Sequence, residues 1–421
     1  MKIAIIGGGS TYSPELIEGF INNAKAIGLT DVALMDIDPR RREVVGGFAK
    51  RMVAHAGNPF TLEVTDDRVA AIDGATFVLT QIRVGGQAAR HEDIKLGLRH
   101  DLIGQETTGI GGMAKALRTL PVVMDLCKEV EQYAPGAWMI NFTNPSGLIT
   151  EAILNNTGVQ CIGLCNVPIE AKMNVAKYLG VDEKQVDMDF VGLNHLGWIR
   201  SIVVEGKDIS DRMIDFLSGD EGPKNIPDIE WKPETLQALG AVPLWYNRYY
   251  YHTDSLLAEL KAKTKSRAQE VMEIEEALMQ KYLDPAQVTK PPELDQRGGA
   301  YYSKIAVEII DSIANDKQDE HIINVQNRGA IPDFPDNWVV ETVATVGKNG
   351  AVPKKTTPLD PHMRSLIGQA KAYEQLTIEA ALNHSWNAAY RALITNPLGP
   401  KAEYAKEVLE DLLATNGLKY S

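Results

Sequence analysis

The feature that most constrains this chain is a regular alternation, over its first 165 residues, of short β-branched runs with longer helical patterns. Lys2–Ile6, Val32–Asp36, Thr61–Val64, Phe77–Ile82, Trp138–Phe142 and Gln160–Leu164 read as strands, with helices at Pro14–Ala26, Arg40–Ala56 and Ala114–Tyr133. Strands apolar along their whole length are buried on both faces, so the pattern predicts a parallel sheet covered by helices on each side. Beyond Cys165 the rhythm breaks. Strand-like Asp187–Leu193 and Ile199–Val204 are followed by a polar, Pro-rich loop at Asp220–Pro233. Helical Ser255–Tyr282, Ala300–Ile313 and Pro361–Asn383 and strand-like Ile322–Gln326 and Trp338–Val346 complete a mixed α+β part. The expected division is 1–165 and 166–421, in a chain long enough for two domains at roughly 150 residues each.

Charge narrows the partners. Lys and Arg number 43 against 56 Asp and Glu, a net charge of −13, which repels a phosphate backbone and argues against nucleic acid. An anionic small substrate would need a local cluster of Arg or Lys. The opening MKIAIIGGGS is apolar too briefly for a signal peptide, and no run approaches the roughly 20 apolar residues of a membrane span. Three cysteines, Cys127, Cys161 and Cys165, make a disulfide framework unexpected. A cytoplasmic protein with reduced thiols is expected, and a reduced thiol can be a metal ligand.

The first strand runs into Gly7-Gly8-Gly9-Ser10-Thr11, and a helix begins near Pro14. Such a turn lets backbone N–H groups approach a pyrophosphate at a helix N-terminus. The third glycine of a G-x-G-x-x-G pattern is replaced by Tyr12, and an ordinary βα turn explains the rest nearly as often. Asp36, ending the second strand, shifts the balance toward a dinucleotide. A carboxylate there can bind both ribose hydroxyls and opposes a 2′-phosphate, which favours NAD over NADP. Its bland reading is a helix cap, for which Asp38 before Pro39 is the better candidate. Asn144-Pro145 closes the fifth strand, either pointing into the crevice or serving as turn chemistry.

Cys165 and His195 both follow strands. A strand-end thiol is core filler or a ligand, and a lone His is more often structural. Cys161 lies an even number of residues from Cys165, which would put both thiols on one side of the strand. One thiolate paired with one imidazole would leave coordination positions open, the pattern of a catalytic metal. Tyr246, Tyr249, Tyr250 and Tyr251 crowd one segment with Arg248. Most of such a cluster is an aromatic face, but a phenol beside a metal and an Arg can serve as a base.

Taken in order, Gly7–Pro14, Ile82–Asp93, Gly104–Gly112 (GQETTGIGG), Asn141–Gly147 (NFTNPSG), Cys165–Pro168 (CNVP), Gly192–Trp198 (GLNHLGW), Tyr246–Tyr250, Arg297–Tyr302 and Asn327–Pro332 form a specific signature. Over nearly its whole length the chain resembles the NAD- and manganese-dependent glycoside hydrolases of family four. The resemblance implies a Rossmann-like NAD-binding domain followed by a mixed α+β domain that binds substrate and metal, arranged as in lactate and malate dehydrogenases. A homodimer or homotetramer is expected. By the same resemblance Gly7, Gly9, Ser10, Thr11 and Asp36 hold NAD, Cys165 and His195 ligate Mn2+ or another divalent metal, and Tyr246 is the base. Arg90 and Arg267 would clamp a sugar 6-phosphate, and Asn144 would meet substrate beside the nicotinamide. The residue after the metal cysteine sorts the subgroups. Phospho-α-glucosidases carry Asp there and non-phosphorylated α-glycosidases tend to carry His, whereas Asn166 in CNVP fits the 6-phospho-β-glucosidases. An amide donates no proton to a leaving oxygen, so an α-type acid is missing.

The implied chemistry departs from the two flanking carboxylates of most glycosidases. Oxidation at sugar C3 acidifies the C2 proton, Tyr246 removes it, and the C1 aglycone leaves. Water then adds and the hydride returns, with a metal as Lewis acid. Three readings compete: a family-four α-glycosidase of other sugar specificity, a 2-hydroxy-acid dehydrogenase, which needs a His–Asp relay, and a non-catalytic NAD sensor.

Overall fold

A computed structural model describes residues 1–211, 226, 230–297 and 301–421. Most of the loop expected at Asp220–Pro233, the first residue of the helix expected at Ala300–Ile313, and the middle of the Arg297–Tyr302 motif lie outside the described residues.

Thirteen described strands form one sheet. They are β1 (Lys2–Ile6), β2 (Asp31–Met35), β3 (Thr61–Thr65), β4 (Phe77–Thr80), β5 (Trp138–Asn141), β6 (Gln160–Gly163), β7 (Val186–Leu193), β8 (Leu196–Val204), β9 (Lys207–Asp208), β10 (Val242–Pro243), β11 (Asp319–Gln326), β12 (Val339–Gly347) and β13 (Gly350–Pro353). Their order is β10-β8-β7-β12-β11-β6-β5-β4-β1-β2-β3, with β9 on β8 and β13 on β12. From β3 to β6 the pairing is parallel, in the doubly wound order 3-2-1-4-5-6. Past β6 it is antiparallel, beginning where Asn324 of β11 meets Gly163 of β6.

The parallel strands bury both faces, as expected, and period-two alternation divides their side chains between two cores. Ala4 and Ile6 join the helix Gly109–Tyr133 and the C-terminal helices Pro361–Asn383, Trp386–Thr395 and Ala405–Thr415. Ile3 and Ile5 join Ser13–Ile27, Gly47–His55 and Tyr302–Asn315 on the opposite face. The end of the chain thus packs back on the sheet laid down by its beginning.

Two expected helices are divided. Ser255–Tyr282 becomes Thr253–Ala262 and Arg267–Leu283, because Ser266 forms a capping box with Gln269 and starts a new helix. Arg40–Ala56 contains a π-helical segment at Arg42–Gly46. Asp38 is indeed the cap there, its carboxylate accepting from the Arg41 N–H at 3.0 Å.

The order reverses between β1 and β4, so a crevice opens beyond the carboxyl ends of these strands. Gly7, Arg83, Asn144 and Cys165 all lie just past the ends of β1, β4, β5 and β6.

Candidate active site

At the end of β1 the chain must turn tightly into a helix. The N–H groups of Gly7 and Gly8 donate to the Met35 carbonyl at 3.0 and 2.7 Å, and Gly7 adopts φ +88°. Gly9 donates to Asp36 Oδ2 at 2.8 Å. A Cβ on Gly9 would sit 2.7 Å from the Asp36 carboxyl carbon, so glycine is required for this approach. Asp36 therefore orders the turn and is not a helix cap. Thr11 is fully buried with no partner for its hydroxyl among the described residues. Tyr12, in place of the third glycine, packs edge-on against Tyr302 at 6.2 Å. The turn, the orphaned Thr11 hydroxyl and the Asp36 carboxylate fit a dinucleotide.

Five strands on in sequence, β6 ends at Gly163, where a side chain would strike Thr150 and Asn324. Cys165 therefore lies beyond the strand, and the expectation that Cys161 shares its face is corrected. Cys161 packs with the cluster of β1 and the C-terminal helices, Cys165 with that of β7, β8 and Tyr246. Burial pushes the Cys165 thiol well above its ordinary range, opposed by the Val167 N–H and the Asn194 amide. Asn194 also receives the Ser146 N–H at 3.1 Å, which ties the β7–β8 turn to the loop after β5.

That turn carries His195 in the left-handed region, φ +66°, a conformation a non-glycine residue holds only when its surroundings impose it. Burial lowers the His195 imidazole to about 3, with Glu106 and Lys115 pulling in opposite senses. A neutral imidazole is the metal-binding form. Its Nδ1 is buried with no hydrogen-bond partner among the described residues, so His195 is not held in a dehydrogenase-type His–Asp relay. Its ring stacks on Tyr246, centroids 3.7 Å apart. A buried thiol and an orphaned neutral imidazole fit a soft-to-borderline divalent cation. Among the described residues no three or more His, Cys, Asp or Glu side chains form a metal cage, so two protein ligands would leave the ion open to others.

Beside this pair lies a cluster of cations around one buried carboxylate. Glu106 pairs with Arg83 at 2.7 Å, Arg90 at 2.9 Å and Lys115 at 3.0 Å. Burial would raise the Glu106 carboxyl, but Arg83, Arg90 and Lys115 hold it well below the usual range. Burial lowers Arg90 to about 10 despite Glu106, with Arg83 and Arg267 adding repulsion. Lys115 falls to about 7 for the same reason, burial first and Arg83 second. Several cations against one carboxylate leave surplus positive charge, as an anion requires. Arg267 opens the helix Arg267–Leu283 and donates to Glu270 at 3.0 Å.

The expected residues thus fall into connected groups. Arg90, Arg267 and Tyr246 interact electrostatically, and Tyr302 feels both Cys165 and Tyr246 while receiving the Asn166 backbone N–H. Asn166 donates to Glu170 at 3.4 Å. Asn144 carries a buried side-chain oxygen with no partner among the described residues. Ser10 accepts from Arg297 at 3.4 Å, which joins the glycine turn to the rest.

Sequence reading had not singled out Arg83, Glu106, Lys115, Glu275, Arg297, Tyr302 or Glu341. Arg83, Glu106, Arg297 and Tyr302 lie in the signature motifs without a role of their own, and for Lys115 and Glu341 the signal is a charge inside an otherwise apolar element. Lys115 interrupts the buried stretch Gly109–Leu117, and Glu341 interrupts β12. Burial pushes Glu341 up to about 8, even though it accepts from Asn324 at 2.9 Å and Asn194 at 3.4 Å.

Comparisons agree with this architecture. The model of the family 4 glycosyl hydrolases matches residues 2–181, and that of the family 4 glycosyl hydrolase C-terminal domain matches 190–399. The 6-phospho-beta-glucosidase of Escherichia coli (strain K12) is 38% identical, over 94% of this chain and 91% of its own. The structure of the 6-phospho-beta-glucosidase of Thermotoga maritima with manganese, NAD+ and glucose-6-phosphate superposes with a TM-score of 0.92 at 34% identity, covering 100% of both chains. Malate dehydrogenase from Plasmodium falciparum in complex with NADH, at 14% identity and a TM-score of 0.54, covers 91% of this chain and 98% of its own and shares the fold alone. By sequence and by structure, this chain belongs to the family 4 glycosyl hydrolases.

Proposed function

We propose that this protein hydrolyses 6-phospho-β-glucosides to glucose 6-phosphate and an aglycone, with NAD and a divalent metal, manganese in the first instance. The observation that carries the reading is the meeting of the His195–Tyr246 stack with the cationic cluster around Glu106. The relatives named 6-phospho-beta-glucosidase, and the Thermotoga complex with manganese, NAD+ and glucose-6-phosphate, support the substrate and both cofactors.

Bound NAD supplies reversible hydride transfer at sugar C3. The metal supplies Lewis-acid polarisation next to the carbon that loses its proton. The chain's own residues do the rest. Gly7, Gly9, Ser10, Thr11 and Asp36 receive the dinucleotide, and Cys165 and His195 hold the metal. Arg90 and Arg267 grip the 6-phosphate, whose planar-fork recognition suits guanidinium. Tyr246 takes the C2 proton. Asn144 and Asn166 orient the sugar, and Asn166, lacking a proton to give, suits a β-linked leaving group. The buried walls made by Tyr246, Tyr249 and Trp245 exclude water from the reacting face.

We read 1–165 as the NAD-binding part and 166–421 as the part that supplies substrate and metal contacts and subunit contacts, in a homodimer or homotetramer. Three free, buried cysteines suit the cytoplasm. No described helix is long and apolar enough to cross a membrane.

The test is turnover of 4-nitrophenyl 6-phospho-β-glucoside with NAD and metal each supplied or withheld. Release of nitrophenol only when both are present, and far slower release from the α-anomer or the unphosphorylated glucoside, is expected. Equal activity on unphosphorylated substrate would overturn the substrate assignment.

A further inference from the structure

Between the glycine turn and the phosphate cluster lies a buried carboxylate with no role in the chemistry above. Glu275 sits on the helix Arg267–Leu283, eight residues past Arg267. Its Oε2 receives Arg41 Nη2 at 2.7 Å, and its Oε1 receives Arg297 Nη2 at 3.0 Å and Nε at 3.3 Å. Both arginines reach on to the glycine turn, Arg41 Nη1 to the Gly9 carbonyl at 3.3 Å and Arg297 Nη2 to the Ser10 hydroxyl at 3.4 Å. On the other side, Gln87 donates its amide to Glu275 Oε1 at 3.2 Å and accepts from Arg90 Nη1 at 3.4 Å. A continuous polar chain therefore runs from Glu106 through Arg90, Gln87, Glu275 and Arg297 to Ser10.

The balance of charge gives this chain a purpose. Two guanidiniums share the Glu275 carboxylate, and Arg297 and then Arg41 outweigh its burial, so both arginines are held in order beside the turn. Each guanidinium has five donors and uses only some of them here. Long cationic side chains lose rotamer freedom when they grip a phosphate, and a buried anchor that has already ordered them removes that cost. The Gln87 amide is fixed in direction, with its oxygen toward Arg90 and its nitrogen toward Glu275. A shift of Arg90 onto a bound phosphate is therefore felt at Glu275.

We infer that Glu275 is a positioning residue common to both sites: it sets Arg41 and Arg297 against the pyrophosphate of NAD and, through Gln87, links their placement to Arg90, so that NAD and the phosphosugar strengthen each other's binding. This rests on the assignment of the glycine turn to NAD and of Arg90 to phosphate. Coupling of this kind is reciprocal, and a chain of contacts demonstrates it only when both ligands are shown to bias it.

The experiment is calorimetric titration of NAD into the full chain, with and without saturating glucose 6-phosphate, for wild type, Glu275→Gln and Gln87→Ala, with thermal melting as the check on folding. In wild type, glucose 6-phosphate should tighten NAD binding by roughly 5-fold or more, the usual lower range for linked sites. E275Q should weaken NAD binding roughly 10-fold, as expected for loss of charge-assisted hydrogen bonds, and Q87A should keep NAD affinity without sugar phosphate but lose the tightening. If E275Q does not fold, Q87A alone decides the linkage. Wild-type NAD affinity in E275Q, or undiminished tightening in Q87A, overturns the inference and leaves the proposed function standing. A wild-type chain that binds no NAD overturns both.

Discussion

The imidazole of His195 lies face to face with the phenol of Tyr246, ring centroids 3.7 Å apart and planes within 9°. One member of the pair is held in a left-handed backbone turn and kept neutral by burial. The other opens the tyrosine-rich segment and lies within the field of Arg90. The phenol of Tyr246 is thereby fixed beside both His195 and Arg90, where the proposed function needs its base. Tyr249, the neighbouring alternative, is buried and pushed well above the ordinary phenol range, first by burial and then by Tyr246 and Glu106.

Tyr246→Phe should keep the stack and remove the base. Turnover of the phosphorylated glucoside is expected to fall by roughly 10²–10⁴-fold, the usual contribution of a general base. Tyr249→Phe should change it far less. Steady-state rates of the two variants check the assignment, and the reverse ranking would move the base to Tyr249.

Cys165→Ser and His195→Ala should each abolish manganese binding, read by titration with the metal alone, and with it activity. The fold should survive in both, as thermal melting would show, since Ser is close to Cys in size and His195 sits in the β7–β8 turn. Exhaustive chelation should silence the wild-type enzyme, and manganese should restore it. Full activity after chelation would contradict the metal assignment.

Arg90→Lys is not a conservative change. Arg90 pairs with Glu106 at 2.9 Å and with Gln87 at 3.4 Å, and an ammonium cannot keep this geometry while gripping phosphate. Loss of one or two charge-assisted hydrogen bonds predicts roughly 10–10²-fold lower kcat/KM on phosphorylated substrate, mainly through KM. An unchanged KM would place the phosphate elsewhere.

Acid stability has an identifiable contributor in Asp411, which ties the C-terminal helix to the end of the helix carrying Arg90. The Arg99 guanidinium, more than His100, holds Asp411 at about 2 against the opposing effect of burial. A carboxyl lowered in the folded state stabilises above its unfolded pKa of about 3.9 and loses that contribution as pH falls toward 2. Because the pair is largely solvated, its contribution is about 1 kcal/mol or less. Asp411→Asn should therefore lower stability to urea at pH 6, with the difference from wild type shrinking at pH 3. A difference that grows on acidification would reverse the sign argued here.

The parallel sheet was legible because apolar runs of fixed spacing leave few other folds, and every strand expected before Cys165 is present within about two residues, the usual uncertainty at element ends. Of the antiparallel extension, β7, β8, β11 and β12 were foreseen, but β9, β10 and β13 are too short to show a period. The helix break at Ser266 was missed although the polar run Lys263–Arg267 interrupts the apolar spacing and the capping box Ser266–Gln269 was present. In the site, motif residues such as Cys165, His195 and Arg90 could be named in advance. Of the partners around them, Glu106 lies in the GQETTGIGG motif and Glu341 interrupts an apolar strand, but Glu275 carries no local pattern. Only the fold brings Glu275 and Gln87, separated by 188 positions, within 3.2 Å.

The central claim is that bond cleavage proceeds by elimination after removal of the C2 proton by Tyr246, and its most direct measurement is hydrogen exchange at that carbon. Turnover in heavy water should place deuterium at C2 of the glucose 6-phosphate formed, because the proton taken by Tyr246 is returned from solvent. NAD should be needed in catalytic amounts, with no accumulation of NADH. Product formed in heavy water with its C2 hydrogen fully retained would contradict the account, since direct displacement at C1 never breaks that bond.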